Sequence, residues 1–291
     1  MELTPAVIGQ MLVTGVLVGS IYGAVAMGFS LIFGVVRIVN FAHAGGVVWA
    51  MYAVFLVTSG GVLGPYLATA LVIPVFFGLG YLLQRALMVR IADMTEEMHI
   101  VFTFGLLLVL TYLAQFAFGH DVRFLASSER HLAFGGIVVQ REILVGGGVA
   151  ALSALGLHVA LARTWLGKAI RASADNRRGA VLIGLDVRAL QRVAMAVSVA
   201  SAALAGGLLA TFTTLYPLRA FELAILAFLI VVLSGIRSLL GSFGGGVIVG
   251  VLEGVGTLLL SPSLAQLGIH ALIFAALLIR PEGLWGRKEA V

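Results

Sequence analysis

From Leu3 to Gln84 the chain carries only one Asp, Glu, Lys or Arg, which is Arg37. The uncharged runs on either side, Leu3–Val36 and Ile38–Gln84, are too long for strands or helices buried inside a small soluble core. The whole chain continues the pattern: 61% of its 291 residues are hydrophobic and 11% are charged. Soluble domains average roughly 45–50% and about 25%. A mean hydropathy of +1.12 fits a chain whose apolar surface is covered by lipid instead of by its own fold. Backbone N–H and C=O groups have no water partner there, and helices satisfy them internally.

A span needs about 20 apolar residues. Cutting the runs at turn signals such as Ser59-Gly60-Gly61 and Gly64-Pro65 predicts spans near 8–36, 41–58, 66–84, 100–118 and 143–162. Four more follow near 193–215, 222–236, 243–260 and 264–280. Span 222–236 is short, and 8–36 is long enough to be broken or strongly tilted. Eight spans with a re-entrant piece fit nearly as well as nine. No Lys or Arg precedes Arg37, so the first segment lacks the basic region of a secretory signal and is expected to be retained.

Lys and Arg gather in the short cytoplasmic loops of membrane proteins. With the N-terminus outside, 14 of the 18 basic residues fall on the inner side, Arg37 and Arg237 among them, and four, Arg123, Arg130, Arg141 and Arg219, stay outside. The inner group includes the tail residues Arg287 and Lys288. The fold expected is therefore all-α, a polytopic transmembrane helical bundle of about 8–9 spans over residues 1–291. Its N-terminus is outside and its C-terminus cytoplasmic. Two soluble excursions interrupt it, an outer loop at 119–142 and a basic inner loop at 163–192, neither large enough to be a domain. The net charge of +5 belongs to these loops and carries no nucleic-acid signal.

Gly15, Gly19 and Gly23 recur every four residues, as do Gly246, Gly250 and Gly254. Each set occupies one helix face, where missing side chains let backbones approach. Gly34-Val-Val-Arg37 and Gly235-Ile-Arg237 form a weak internal echo of the kind transporter repeats leave.

Enzymatic chemistry finds no support. There is no GxxxxGK[ST] nucleotide loop, no HExxH, no GxSxG, no cysteine and no histidine pair at metal spacing. Residues 168–182 of the inner loop favour a helix with alanine-rich and basic faces, and Gly184 suits its end. Such a helix either binds anionic lipid heads or docks on a soluble partner.

Gly167-Lys-Ala-x-Arg171-Ala-x-Ala-x-Asn176-x-x-x-Ala180-x-x-x-Gly184 resembles the coupling loop of ABC importer permeases of the branched-chain amino acid, LivH-type family. Gly19-Ser-Ile-Tyr-Gly23 through Phe33-Gly34-Val-Val-Arg37-Ile-Val-Asn40-Phe41-Ala42-His43 is similar to the same family, as is Arg280-Pro-Glu-Gly-Leu-Trp-Gly286. Gly45-Gly46 after His43-Ala44 departs from the family's pattern. The resemblance implies a multi-pass subunit of the bacterial inner membrane, embedded in lipid and working in a heteromeric importer. A second homologous permease, two cytoplasmic ATPases and a periplasmic or lipid-anchored binding protein would complete that importer. ATP and Mg would be bound by the partner ATPases, with no cofactor or metal in this chain. Gly167, Lys168, Arg171, Ala172, Asn176, Arg177, Ala180 and Gly184 would then couple to the ATPases. The solute implied is a branched-chain amino acid or a similar small organic molecule.

Three polar positions are candidates for the solute path. Glu253 lies inside the eighth predicted span, where a carboxylate faces the bundle or water. It either lines the path or bonds across helices. Asn40 and His43 flank a predicted helix break after Arg37, and either coordinate solute there or cap helix ends. His158 and His270 are expected to bond within the core. Two other functions compete: an ion-coupled secondary transporter of small solutes, and a scaffold subunit with no path at all.

Overall fold

A computed structural model describes residues 5–61, 63–92, 94–125, 131–134, 136–236 and 238–286. Its helices are α1 (Pro5–Val36), α2 (Ala42–Ser59), α3 (Pro65–Leu83), α4 (Val89–Ile91), α5 (Glu96–Phe118) and α6 (Arg141–Arg163). They continue as α7 (Trp165–Asp175), α8 (Arg177–Leu182), α9 (Val187–Ala210), α10 (Arg219–Ser234), α11 (Leu239–Leu259) and α12 (Pro262–Ile279). One π-helical turn, Gln84–Met88, joins α3 to α4 without a break. Strands β1 (His131–Phe134) and β2 (Ile137–Gln140) form an antiparallel hairpin between α5 and α6.

The protein is thus an all-α polytopic bundle with one small hairpin. Seven helices among the described residues are long and apolar enough to cross a membrane, with α3 to α4 counted as one. The other two predicted spans are shorter helices. The 16 residues of α10 extend about 24 Å at about 1.5 Å per residue, less than a hydrocarbon core of about 30 Å. The 18 residues of α12 reach about 27 Å.

The first span, expected as broken or strongly tilted, is one unbroken helix of 32 residues, about 48 Å long. Two sequence expectations need correction. The helix expected over 168–182 is two helices, because Asn176 adopts φ −142° and ψ 92° and caps the second. The span expected at 193–215 lies instead at Val187–Ala210. The Asp186 carboxylate accepts from Ala189 N at 3.0 Å and starts that helix early. The helix break predicted after Arg37 is present: α1 ends at Val36 and Arg37 takes φ 59°. Arg130, Arg237, Arg287 and Lys288 lie outside the described residues.

The axis of the bundle is α1. Every residue from Gly19 to Ile32 is buried, with α6, α9, α10 and α11 packed around it. A helix apolar on all sides is stable when other helices enclose it. Leu67, Leu71 and Val75 of α3, Val101 and Phe116 of α5, and Phe274 and Leu278 of α12 face outward as a lipid-facing surface does.

The contact of α1 with α11 is made of bare backbone. A Cβ on Gly15 would stand 2.8 Å from Gly250 O, one on Gly19 2.7 Å from Gly246 O, and one on Gly23 2.7 Å from Phe243 O. Residue numbers rise on one helix as they fall on the other, so the pair is antiparallel. Gly246 in turn abuts the Gly23 backbone and Gly250 the Gly19 backbone, while a Cβ on Gly254 would be 3.0 Å from Met11 O.

The two ends of the bundle differ. One gathers the C-terminal end of α1, α7, α8 and the start of α11; the other gathers the β-hairpin and the 119–125 and 211–218 segments. Ile137 of β2 packs near Gly9 of α1 at that second end, and Arg123 and Leu215 exchange backbone hydrogen bonds there, 2.9 and 2.7 Å. At the first end the C-terminal segment returns to α10: Leu284 N donates to Leu233 O at 2.7 Å and Trp285 N to Ser234 O at 3.0 Å. Gly235 and Gly283 meet backbone to backbone in this clasp, both with positive φ, 93° and 80°.

Replacing Gly250 by Ala should destabilise the bundle by about 1–3 kcal/mol, because backbone, not a flexible side chain, occupies the space. Gly105→Ala on α5, where nothing lies within 4 Å of the added carbon, should be neutral or slightly stabilising. Thermal unfolding of the two variants in detergent checks the contrast.

Candidate functional site

The segment 163–186 folds into an elbow because three side chains cap three successive helices. Thr164 Oγ1 accepts from Gly167 N at 3.1 Å and starts α7. Asn176 Oδ1 accepts from Gly179 N at 2.9 Å and starts α8, and Asp186 starts α9. Gly184, at φ 82°, ends α8, with its N–H on Val181 O at 3.0 Å and Leu185 N on Ala180 O at 3.0 Å.

One face of the elbow is seated on the bundle. Ala169 and Ile170 of α7 join Leu31 and Val35 of α1 and Leu190 and Ala194 of α9 in a single buried cluster. Gly167 lies against the α6 backbone, where a Cβ would stand 2.5 Å from Ala160 O. Ala180 is buried as well. Gly167 and Ala180 therefore fix the elbow's position and present nothing outward.

The opposite face is open. Lys168, Arg171, Ala172, Asn176, Arg177 and Gly184 are exposed on it. Two arginines are tied locally: Arg171 Nη2 donates to Ala162 O at 3.2 Å and Arg37 Nη2 to Ala174 O at 3.4 Å. Trp165, Leu182 and Ile183 lie among these cations, 72%, 86% and 74% exposed. The sequence analysis did not single them out. The signal was the run Val181-Leu182-Ile183 inside a basic loop, since three consecutive apolar residues of a helix cannot all face inward. Beside α7 opens a cavity of about 1030 Å³, lined by Phe33, His158, Arg171, Asp175, Glu282 and Trp285 among others.

Asn40 and His43 meet inside the bundle, each only 1% exposed. The His43 Nε2–H donates to Val25 O at 3.1 Å, and Nδ1 stands 3.2 Å from the Ser198 hydroxyl. Ser198 donates to Gly28 O at 2.6 Å. Asn40 Nδ2 contacts Met195 Sδ at 3.8 Å, and its Oδ1 is covered without a hydrogen-bond partner. His270 Nδ1 bonds Gln266 O at 2.6 Å within its own helix.

Glu253 is far from that pair. It is half-buried on α11, where the Tyr22 hydroxyl of α1 and the Arg219 guanidinium of α10 lie within electrostatic reach of its carboxylate. Arg219 rests over the Tyr216 ring at 5.8 Å. The Tyr216 hydroxyl donates to Glu222 Oε1 and Oε2 at 2.7 and 2.8 Å. Burial, then the Glu222 carboxylate, pushes the Tyr216 pKa above its usual value, so the hydroxyl keeps its proton for that bond. Asn40, His43 and Glu253 thus form two separate polar sites. Among the described residues no cluster of three or more His, Asp or Glu side chains is arranged to hold a metal.

Known proteins resemble this chain along nearly its full length. A family model described as branched-chain amino acid transport system / permease component matches residues 11–279. The high-affinity branched-chain amino acid transport system permease protein LivH of Salmonella typhimurium is 26% identical over 298 residues, covering 96% of each chain. LivH of Escherichia coli K12 is 26% identical over 306 residues with the same coverage. The corresponding permease BraD of Pseudomonas aeruginosa is 26% identical over 298 residues, again with 96% of each chain covered. No solved structure matches the chain. A helical bundle with a capped basic elbow at one end and a family match along 11–279 have one common reading: the chain belongs to the branched-chain amino acid transport permease family.

Proposed function

We propose that this chain is the membrane permease of an ATP-driven importer, and that cytoplasmic ATPase subunits grip it at the α7–α8 elbow. The observation that carries the reading is the elbow's open face, with Trp165, Leu182 and Ile183 among Lys168, Arg171, Arg177 and Arg178. Large apolar side chains rimmed by charge mark a protein-binding surface. A helix serving only as a lipid float would turn them toward the membrane, whereas the face of α7 turned to the bundle carries Gly167, Ala169, Ile170 and Ser173.

The elbow end is the cytoplasmic end in this reading. Among the described residues every Lys and Arg except Arg123, Arg141 and Arg219 belongs to it, as short cytoplasmic segments require. The β-hairpin end then faces outward, toward a binding protein that delivers solute. A second, homologous permease completes the path, with lipid around the pair. The relatives are named for branched-chain amino acids, and that is the solute class proposed. Glu253 borders the path, while Asn40 and His43, sealed in this conformation, reach it only when the unwound Arg37–Phe41 connection opens.

Two measurements test the reading. The chain has no cysteine, so a single reporter thiol is unambiguous. Leu182→Cys should react with an impermeant maleimide only from the cytoplasmic side, and Leu132→Cys on β1 only from outside; the reverse pattern refutes the orientation. In the assembled complex, Leu182→Glu should weaken docking by about 2 kcal/mol or more and cut ATP-dependent uptake at least tenfold with the permease still folded. Full uptake by the permease without any ATPase would instead establish the ion-coupled transporter.

A further inference from the structure

The cavity beside α7 holds side chains that the elbow does not use. Its wall is built from the last turns of α1 and α6, one flank of α7, the start of α11 and the C-terminal clasp. His158, Arg171, Asp175 and Glu282 all line it. Arg171 gives one hydrogen bond, to Ala162 O at 3.2 Å. Among the described residues His158, Asp175 and Glu282 make no side-chain hydrogen bond or ion pair, although His158 was expected to bond within the core. Asp175 follows Arg171 by one turn, the spacing at which opposite charges on a helix meet, yet no ion pair joins them.

The rest of the wall is apolar. Ile236, Leu240 and Trp285 are exposed on it, 37%, 48% and 46%, and Phe33 and Leu161 are half-buried. Val35 and Ala162 are each one residue from the end of a membrane-length helix, and Leu239 begins another. The cavity therefore lies where three spans leave the apolar zone, the level at which tryptophan settles. Away from it, Leu155 and Val159 of α6 and Ile248 of α11 carry exposed apolar surface toward the middle of the membrane.

We propose that this cavity holds one phospholipid of the inner leaflet whose head carries both a phosphate and a primary ammonium. Arg171 takes the phosphate, with a ring N–H of His158 beside it. Asp175 and Glu282 take the ammonium, and the acyl chains leave past Leu161 and Leu240. A head that is only anionic would meet two carboxylates against one guanidinium, and a quaternary ammonium has no N–H to give them. At about 1030 Å³ the space stands at the upper end of the roughly 300–1,000 Å³ found for ligand sites, which suits a head group with the first methylenes of its chains. The head then touches α7 on one side and the clasp on the other, so the lipid braces the elbow against the bundle. Only the choice of leaflet rests on the importer reading.

The test is native mass spectrometry of the assembled importer in detergent, titrated with dioleoyl phosphatidylethanolamine. The dioleoyl lipids of choline and of glycerol should each bind about tenfold more weakly. Arg171 stays untouched because it also lies on the docking face. Gly34 lines the cavity, and a Cβ there meets nothing within 4 Å, so Gly34→Phe should fill the space and abolish binding. Where that variant fails to assemble, Glu282→Gln and Asp175→Asn on exposed side chains decide: each should weaken binding about tenfold, while Glu96→Gln, an exposed carboxylate at the same end, stays within twofold of wild type. Equal binding of the three lipids, or Glu282→Gln and Asp175→Asn both within twofold of wild type, overturns the site. Exclusion of the lipid from the assembled complex, as a second permease or an ATPase covering the cavity would cause, overturns it too. Glycerophosphoethanolamine competing as well as the whole lipid overturns the membrane source. None of these results touches the importer reading, which fails on absence of ATP-dependent uptake by the wild-type complex.

Discussion

The backbone-on-backbone contact of α1 with α11 is the constraint on which the rest of the architecture depends. Lipid tails are as apolar as leucine, so helices in a bilayer gain little from hiding hydrophobic surface against each other. Dispersion contact and close approach must do that work, and Gly15, Gly19 and Gly23 against Gly246 and Gly250 allow it. The contact also fixes register. Glu253 lies three residues beyond Gly250, nearly the same face of α11, and is therefore delivered to Tyr22 of α1. A slip by one turn would move the two about 5.4 Å apart along the helix axis.

The same helix ties the two ends of the molecule together. Leu31 and Val35 near the end of α1 seat α7 through Ala169 and Ile170. Tyr22, about 20 Å back along the same unbroken rod, lies within electrostatic reach of Glu253. In the proposed cycle a push on the elbow is a push on α1, and α1 touches the outward polar cluster directly. Coupling of this kind needs a stiff element with a contact at each end. The side-chain caps at Thr164, Asn176 and Asp186 give the elbow a defined shape, without which a motor would meet a loose loop.

Much of this was legible in the sequence, and the reasons are specific. Apolar runs bounded by Gly, Pro and Arg announce membrane helices because lipid imposes both length and composition, and the break after Arg37 followed from them. Four-residue glycine steps identified two packing faces but could not say that they face each other, since pairing between distant helices leaves no local trace. Asn176 was read within a continuous helix over 168–182. Its side chain competes with the helix by accepting from Gly179 N, a choice that propensity alone does not decide. Asp186 shifted α9 toward the N-terminus for the same reason. Arg219 was counted only as an outer-side charge, because its closeness to Glu253 comes from the packing of α10 against α1 and α11. Asn40, His43 and Glu253 looked alike as polar residues near spans, and only tertiary structure separates the sealed pair from the half-open carboxylate.

Amide hydrogen exchange across residues 165–184, compared between the permease alone and the permease with its ATPase subunits bound, tests the central claim most directly. The helix α8 is six residues long and lies on the surface, so its amides should exchange quickly in the isolated protein. The account predicts slowing of at least tenfold at 177–184 when the ATPases bind, with β1 and β2 unaffected. Equal exchange at 177–184 in both states, with the ATPases demonstrably bound, would contradict it.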